Sequence, residues 1–184
     1  MALTRLGPNN STNISGINLT SQVTGTLPIA NGGTAITSGF VNGVPNSPAF
    51  EALTDTTTSI TNDTTTKMTF ASTVFNEGSG WDTSNNKFLP TTAGKYFVYG
   101  CVEAYGGGDS TLTDTRPMIY KNGSMVRQTP WFFKAHRQRY NSSFIYGTYD
   151  LNGSSDYIEL YFSVNSTSTP TIYEKYFGAY RIIG

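Results

Sequence analysis

Residues Lys95–Tyr105 read KYFVYGCVEAY and carry the clearest β-strand signal of this chain. Successive side chains of a β-strand point to opposite faces of the sheet. One face of this stretch carries Tyr96, Val98, Val102 and Ala104. The other face carries Phe97, Tyr99, Cys101 and Tyr105. Because an isolated sandwich keeps one face of each sheet polar, two apolar faces predict a strand that is buried twice, by the core and by neighbouring subunits.

A second stretch, Tyr157–Val164, alternates in the same way and has one clearly apolar face. We assign to the core the face that carries Ile158, Leu160, Phe162 and Val164. The opposite face carries two tyrosines, whose apolar ring and polar hydroxyl allow contact with either water or a partner subunit. Adding the last strand, we predict a subunit interface that includes Phe97, Tyr99, Tyr157, Tyr161, Tyr176 and Tyr180.

The body of the chain, residues 50–184, has the pattern of an all-β protein. Thr, Tyr, Phe, Val and Ile dominate it, and Gly, Asn, Asp and Pro interrupt it roughly every 8–12 residues. The pair Asn122-Gly123 predicts a two-residue hairpin turn, because both positions need a positive φ. Gly178, in the last strand, predicts a close approach of the backbone near a symmetry axis or a bulge. We predict an antiparallel jelly-roll sandwich preceded by an extended N-terminal stalk.

Composition limits the classes of partner. The chain has 184 residues, with 12 Lys+Arg and 12 Asp+Glu, so its net charge of zero argues against nucleic acid. Charged residues make up only 13% of the chain, against about 25% in typical soluble proteins, which fits a protein held in an assembly. The single cysteine, Cys101, excludes an intramolecular disulfide and lies in an apolar run, where we expect a buried thiol. The first ten residues lack the apolar core of a signal peptide, and no run of about 20 apolar residues predicts a membrane span.

Short motifs follow one another along the body in a definite order. They are Thr73–Glu77 (TVFNE), Trp81-Asp82, Lys87-Phe88, Gly94–Phe97 (GKYF), Tyr120–Gly123 (YKNG) and Tyr176–Tyr180 (YFGAY). This order resembles the globular head of the q subunit of the first complement component and the related tumour-necrosis-factor-like trimeric jelly rolls. The resemblance covers residues 50–184 and implies a homotrimeric head with both chain termini at its base. Ser154-Ser155-Asp156 departs from the family's Gly-Asp pair, and the loop Thr129–Ser143 does not align.

The segment Ser21–Thr34, SQVTGTLPIANGGT, is similar to segments of bacteriophage tail fibres. The similarity implies a protein of the virion, with a virion-anchoring leader over residues 1–20 and an extended stalk over residues 21–49. We expect the leader to dock to a protein of the tail, baseplate or capsid through Leu3, Arg5 and Leu6. Residues 1–49 contain one aromatic residue, Phe40, too little to bury a core of their own, so a disordered leader is the alternative.

Successive loops of an antiparallel jelly roll alternate between its two ends. With both termini at the base, the loops predicted for the far end are Gly106–Thr115, Pro130–Ser143 and Asn165–Thr171. The base then carries Lys121–Ser124 and Leu151–Asp156.

One far-end loop concentrates aromatic and basic side chains, the types that dominate binding hot spots. We predict that it binds a host-cell receptor, a glycan or a protein, because an aromatic ring suits the apolar face of a sugar and a cation suits an acidic substituent. The predicted receptor-binding residues are Trp131, Phe133, Lys134, His136, Arg137, Arg139 and Tyr140. The alternative is that Trp131, Phe132 and Phe133 close the core or the subunit interface.

Catalytic patterns are missing from the sequence. His136 is the only histidine, and there is no nucleophile elbow, phosphate loop or zinc-ligand spacing. Glu77 and Asp82, the conceivable carboxylate pair of a glycosidase, match structural positions of the family motif. We expect no enzyme and no cofactor. Asp109 and Asp114 share a glycine-rich loop and can hold calcium near a threefold axis, with a flexible polar tip as the alternative.

The function that this reasoning predicts is host-cell attachment by a homotrimeric phage fibre or tip protein with no nucleic-acid or membrane partner. Two alternatives stay open. One is a structural head fibre or decoration protein of the virion without a receptor role. The other is a secreted ligand of the complement-head type.

Overall fold

The computed structural model describes residues 46–182, and all regular structure in this range is β-strand. The predicted leader, with Leu3, Arg5 and Leu6, and nearly all of the predicted stalk lie outside the described residues. Within residues 46–182, no helix is long and apolar enough to cross a membrane. The strands are β1 (Ala49–Thr54), β2 (Thr58–Ser59), β3 (Thr66–Lys67), β4 (Ser72–Glu77), β5 (Trp81–Asp82), β6 (Lys87–Phe88), β7 (Ala93–Tyr105), β8 (Leu112–Lys121), β9 (Ser124–Gln128), β10 (Trp131–Phe132), β11 (Tyr140–Asn152), β12 (Ile158–Ser166) and β13 (Thr171–Arg181).

The strands form two antiparallel sheets that enclose one core. The first sheet has the order β11-β7-β13-β1-β4, with β2 beside β13. The second sheet has the order β10-β8-β12-β6-β5, with β9 also beside β8 and β3 beside β12. The longest pairing joins β11 to β7, from Tyr140 opposite Tyr105 to Asn152 opposite Ala93, without a register shift. This arrangement confirms the prediction of an antiparallel jelly-roll sandwich.

The core lies between the sheets and follows the alternation of the sequence. The β12 residues that were assigned to the core are all buried: Ile158, Leu160, Phe162 and Val164. Of the two apolar faces of β7, the one with Tyr96, Val98, Val102 and Ala104 is the core face. Phe50 stacks on Trp81, with ring centroids 4.5 Å apart, and on Phe88 at 4.8 Å. Phe177 meets Phe50 edge-on at 5.2 Å. Burial of each such ring contributes about 1.5–3 kcal/mol to folding.

One end of the sandwich, which we call the base, holds both ends of the described chain. Ala49 lies opposite Tyr180, and the Arg181 amide donates to the Asn46 carbonyl over 3.1 Å. The predicted hairpin is also there and is confirmed, with φ of 53° at Asn122 and 76° at Gly123.

The opposite end, the far end, brings the three predicted loops together. The Gly106 amide donates to the Arg139 carbonyl over 2.9 Å. The Thr167 amide donates to the Thr111 carbonyl over 3.0 Å. The predicted division of the loops between the two ends is therefore confirmed.

The far-end loops are shorter than predicted, because β8 begins at Leu112, and β10 and the start of β11 fall inside Pro130–Ser143. Polar side chains of these strands satisfy one another inside the sandwich. The hydroxyl oxygens of Thr115 and Ser143 lie 2.7 Å apart and are fully buried. The Asn141 amide donates to both, over 2.9 and 2.7 Å. Because each buried polar group has a partner, a polar sequence continues as strand here.

Gly178 makes room for a side chain of the neighbouring strand. It lies opposite Tyr99 of β7, and a methyl group at Gly178 would collide with the phenol ring of Tyr99. The predicted bulge is wrong for this position, since the register of β13 shifts between Ile172 and Glu174. The glycine is thus needed because Tyr99 crosses the outer face of the sheet above it.

We expect Gly178→Ala to lower the free energy of unfolding by about 1–3 kcal/mol, the usual cost of overpacking. In a Tyr99→Ala background, where the ring is gone, the same change should cost little. Urea unfolding of the four proteins measures this coupling. An equal cost in both backgrounds would contradict the packing argument.

Lys175 is a cation inside the core. The shift in β13 turns this side chain inward, where it is 2% exposed and donates to the Thr58 hydroxyl over 3.1 Å. The ion pairs among residues 46–182 do not include it. Burial lowers the pKa of Lys175, because desolvation disfavours the charged form.

Lys175→Met should therefore stabilise the head near neutral pH, by roughly 1–4 kcal/mol as for other buried ionic groups replaced by apolar ones. The folded pKa lies below the ordinary value of 10.5, so the cost of the cation is present below the folded pKa and disappears as pH rises towards 10.5. Urea unfolding across this alkaline range should show the wild type approaching the variant. A gap that stays constant would contradict the account, and the exposed Lys95→Met is the matched control.

Candidate functional site

The aromatic pair Trp131 and Phe132 lies at the edge of the second sheet. As β10, the two residues pair with Thr115 and Asp114 of β8 near the far end. Their side chains are 46% and 58% exposed. Within residues 46–182 these two large apolar side chains do not belong to the core, so they are available to a partner.

Two cations flank the Phe132 ring. The Arg116 guanidinium carbon lies 5.9 Å from the ring centroid and Lys134 Nζ lies 6.0 Å from it. Arg116 also lies 2.8 Å from Asp114, whose pKa is raised chiefly by burial, with Arg116 opposing the rise. We call Phe132, Lys134 and Arg116, together with Trp131 on the opposite face of the same edge strand, the lateral surface. Arg116 was missed in the sequence because it belongs to a strand remote from the loop.

The rest of the predicted receptor-binding set lies elsewhere. Phe133 packs against the core, and its amide donates to the Thr113 carbonyl over 2.8 Å. His136 and Arg137 are exposed at the tip of the loop. The alternative prediction that aromatic residues of this loop close the core thus holds for Phe133 alone.

Arg139 and Tyr140 turn towards the first sheet. Tyr140 stacks on Tyr105 at 4.9 Å and meets Tyr173 edge-on at 5.4 Å. Arg139 lies 5.3 Å from the Tyr140 ring and pairs with Asp109 over 3.2 Å. A hydrogen bond with Tyr140 is the main cause of a raised pKa at Tyr173. The structure therefore divides the predicted site between the two sheets.

The outer face of the first sheet carries a continuous layer of aromatic rings. Successive ring centroids are 5.5–6.4 Å apart along Tyr180, Phe97, Tyr99, Tyr176 and Phe144, and Tyr146 joins them beside Phe97. Phe144 is 52% exposed and Tyr146 is 59% exposed. We call this layer the first-sheet face. Phe144 and Tyr146 were missed, although their alternation along β11 was visible in the sequence.

Four of the six predicted interface residues belong to this face, and two do not. Tyr161 lies on the second sheet and stacks on Tyr120 at 4.0 Å. Tyr157 lies below Lys87, whose Nζ is 4.9 Å from the ring centroid. Sequence alternation shows which residues share one strand face but not which sheet that strand joins.

Polar groups on the first-sheet face are partly desolvated even in a single chain. Tyr99 donates to Glu51 over 2.6 Å, and burial followed by this hydrogen bond raises the pKa of Tyr99. Burial raises the pKa of Tyr176 to about 12 and that of Cys101 to about 11. Cys101 is buried, as predicted. Because their pKa values are raised, Tyr99, Tyr176 and Cys101 are uncharged at neutral pH.

Three of the four carboxylates considered for metal binding and catalysis, Asp109, Asp114 and Asp82, have other partners. Asp109 pairs with Arg139, and Asp114 is a strand residue beside Arg116. Asp82 accepts hydrogen bonds from the Asn85 amide groups over 3.0 and 2.7 Å, which lower its pKa. In the part of the chain that the structure describes, no group of three His, Cys, Asp or Glu residues is placed to hold a metal.

Comparison with known proteins bears on the fold. No family model and no curated protein sequence matches the chain. The chain is similar to the globular domain of zebrafish complement 1qA protein, with 13% identity and a TM-score of 0.52 over 74% of this chain and 98% of that one. It is also similar to murine APRIL at pH 5.0 and pH 8.0, with 14% and 15% identity and TM-scores of 0.53 and 0.52 over 73% of this chain and 98% of each. These likenesses confirm the resemblance of the fold.

The neighbouring residues Phe132 and Phe133 allow a matched test of this geometry. Phe132→Ala should leave the free energy of unfolding within about 0.5 kcal/mol of wild type, because the ring is exposed. Phe133→Ala should lower it by about 1–3 kcal/mol, because the ring packs on the core. Urea unfolding of both variants checks the assignment, and equal costs would contradict it.

Proposed function

We propose that this chain is the homotrimeric head of a bacteriophage fibre and that it attaches the virion to its host by binding a cell-surface glycan. The observation that carries the proposal is the separation of two exposed aromatic surfaces. The first-sheet face is broad and suits further copies of the chain. The lateral surface is small and has two cations beside an exposed ring, which is the chemistry of a binding site for a cell-surface glycan.

Self-association is supported by the extent of the first-sheet face. Soluble monomers rarely expose contiguous apolar patches larger than a few hundred Å². A closed ring turns the same face of every copy inward, so one arrangement covers all of them. The number three follows from the resemblance to trimeric jelly rolls.

The placement of the chain ends and the loops at opposite ends of the head supports a role in attachment. The described chain begins and ends at the base, while the three loops project from the far end. Because the ends of the described chain lie at the base, the loops of the far end are free to meet a target. The segment Ser21–Thr34, with its similarity to tail-fibre segments, supports the assignment to a virion.

The lateral surface has the chemistry of a sugar site. Phe132 offers an exposed ring face, and Arg116 and Lys134 approach the same ring. A pyranose presents an apolar face and a hydroxyl edge, which match a ring beside cationic donors. Three copies of a weak site on one head gain avidity when they bind one cell surface.

The test is saturable binding of the purified chain to cells of candidate bacterial hosts, with competition against adsorbing phage. We expect wild type to bind and to block adsorption. The double variant Trp131→Ala, Phe132→Ala should bind at least about tenfold more weakly, because hot-spot aromatics carry most of the binding energy. Lys87→Ala, near the base, is the matched control and should bind like wild type.

Other outcomes contradict the proposal in distinguishable ways. A stable trimer that binds no host cell and blocks no phage would favour a structural fibre or decoration role. Binding to animal cells instead of bacteria would favour a secreted ligand. Full host binding by the aromatic double variant would move the target to Arg137, Arg139 or another part of the far end.

A further inference from the structure

We infer that the ring of three copies closes edge to edge, with Arg127 of one copy paired with Glu77 of the next. This inference rests on the proposed homotrimer and identifies the two surfaces that would meet in it. The β9 edge consists of Met125, Val126, Arg127 and Tyr146. The β4 edge consists of Val74, Phe75 and Glu77.

The β9 edge has apolar side chains and an uncompensated cation. All five residues of β9 are exposed, including Met125 and Val126. The Arg127 guanidinium reaches over the neighbouring sheet edge and lies 5.6 Å from the Tyr146 ring centroid. The ion pairs and side-chain hydrogen bonds among residues 46–182 give Arg127 no carboxylate.

The β4 edge has the opposite charge. All six residues of β4 are exposed, and Val74 and Phe75 cover no core. Phe75 and Glu77 lie opposite Glu51 and Ala49 of β1, on the outer side of the first sheet. Within residues 46–182 no Lys or Arg pairs with Glu77.

The sheet order places these two edges on opposite sides of the sandwich. In the first sheet β11, which carries Tyr146, is one edge strand and β4 is the other. Three sandwiches that turn their first sheets towards a common axis meet edge to edge, with β11 of one beside β4 of the next. Such a heterologous ring needs two different and complementary surfaces on each copy. An exposed apolar pair with a cation and an exposed apolar pair with an anion meet that requirement.

The heights of the two charges along the strands also match. One row of directly opposed residues crosses the whole first sheet: Tyr146, Tyr99, Gly178, Glu51 and Phe75. Rotation about an axis parallel to the strands keeps every residue at its own height. The Arg127 guanidinium lies over Tyr146, at one end of this row. At the other end of the row, Glu77 is two residues from Phe75 along β4, so the two charges differ in height by about 7 Å along the strands. Arg and Glu side chains together span that difference.

Other acidic residues of the first sheet fit Arg127 less well. Glu51 is already engaged by the Tyr99 hydroxyl. Glu103 and Glu174 lie opposite each other, four residues along β7 from Tyr99. That separation is about 13 Å along the strand, too far for a partner at the height of Tyr146.

Charge exchange tests the pairing in the full chain. Arg127→Glu and Glu77→Arg should each raise the concentration at which trimers dissociate by at least about tenfold, because like charges then face each other. The double variant should recover to within about threefold of wild type. Mass photometry over a dilution series measures this, near-UV circular dichroism confirms that each variant is folded, and Lys87→Glu on the second sheet is the matched control.

The outcomes separate this inference from the proposed function. A wild-type chain that is monomeric at every concentration overturns both. A wild-type trimer whose single variants associate normally, or whose double variant is as weak as the sum of the singles, overturns the pairing and leaves the trimer standing. Because a disulfide is too short to replace the two long side chains, an Arg127→Cys, Glu77→Cys variant with Cys101→Ser is treated with a flexible bis-maleimide cross-linker. Covalent trimers are expected, and covalent dimers alone would contradict a closed ring.

Discussion

The aromatic outer face of β7 sets the packing of the whole outer side of the first sheet. Its inner face packs into the core of the sandwich, while Phe97 and Tyr99 project from the other side into an aromatic layer that no strand of residues 46–182 covers. The neighbouring strands add more rings to this layer, and the absence of a side chain at Gly178 leaves room for the Tyr99 ring. Removal of such an apolar layer from water is favourable, and the proposed homotrimer would supply that burial.

Much of the fold was predictable because the strands of the core alternate strictly. The inner faces of β7 and β12, the Asn122-Gly123 turn and the division of loops between two ends each follow from local rules of strand and turn geometry. Local rules do not predict the register shift in β13, which turns Lys175 into the core. They also do not predict the hydrogen bond between the Thr115 and Ser143 hydroxyls, which are distant in sequence. This bond allows strands to continue through polar sequence.

The candidate site was predictable as a segment but not as a surface. Aromatic and basic residues between Trp131 and Tyr140 were visible in the sequence, yet β10 pairs with β8 and β11 pairs with β7, so the segment divides between two sheets. Phe133 directly follows β10 and packs against the core, whereas Phe132 within β10 is exposed. Arg116 and Arg127 come from other strands, and only the pairing of those strands brings each cation to its aromatic ring.

Sedimentation velocity of the purified full chain at micromolar concentration measures its mass in solution and so tests directly whether the first-sheet face is buried between copies. Burial of the first-sheet face in a closed ring predicts a single species of three chains, each of 20.0 kDa. A monomer that stays soluble with Phe144 and Tyr146 exposed to water would contradict the closed ring of three chains, and the aromatic layer would then need a different partner.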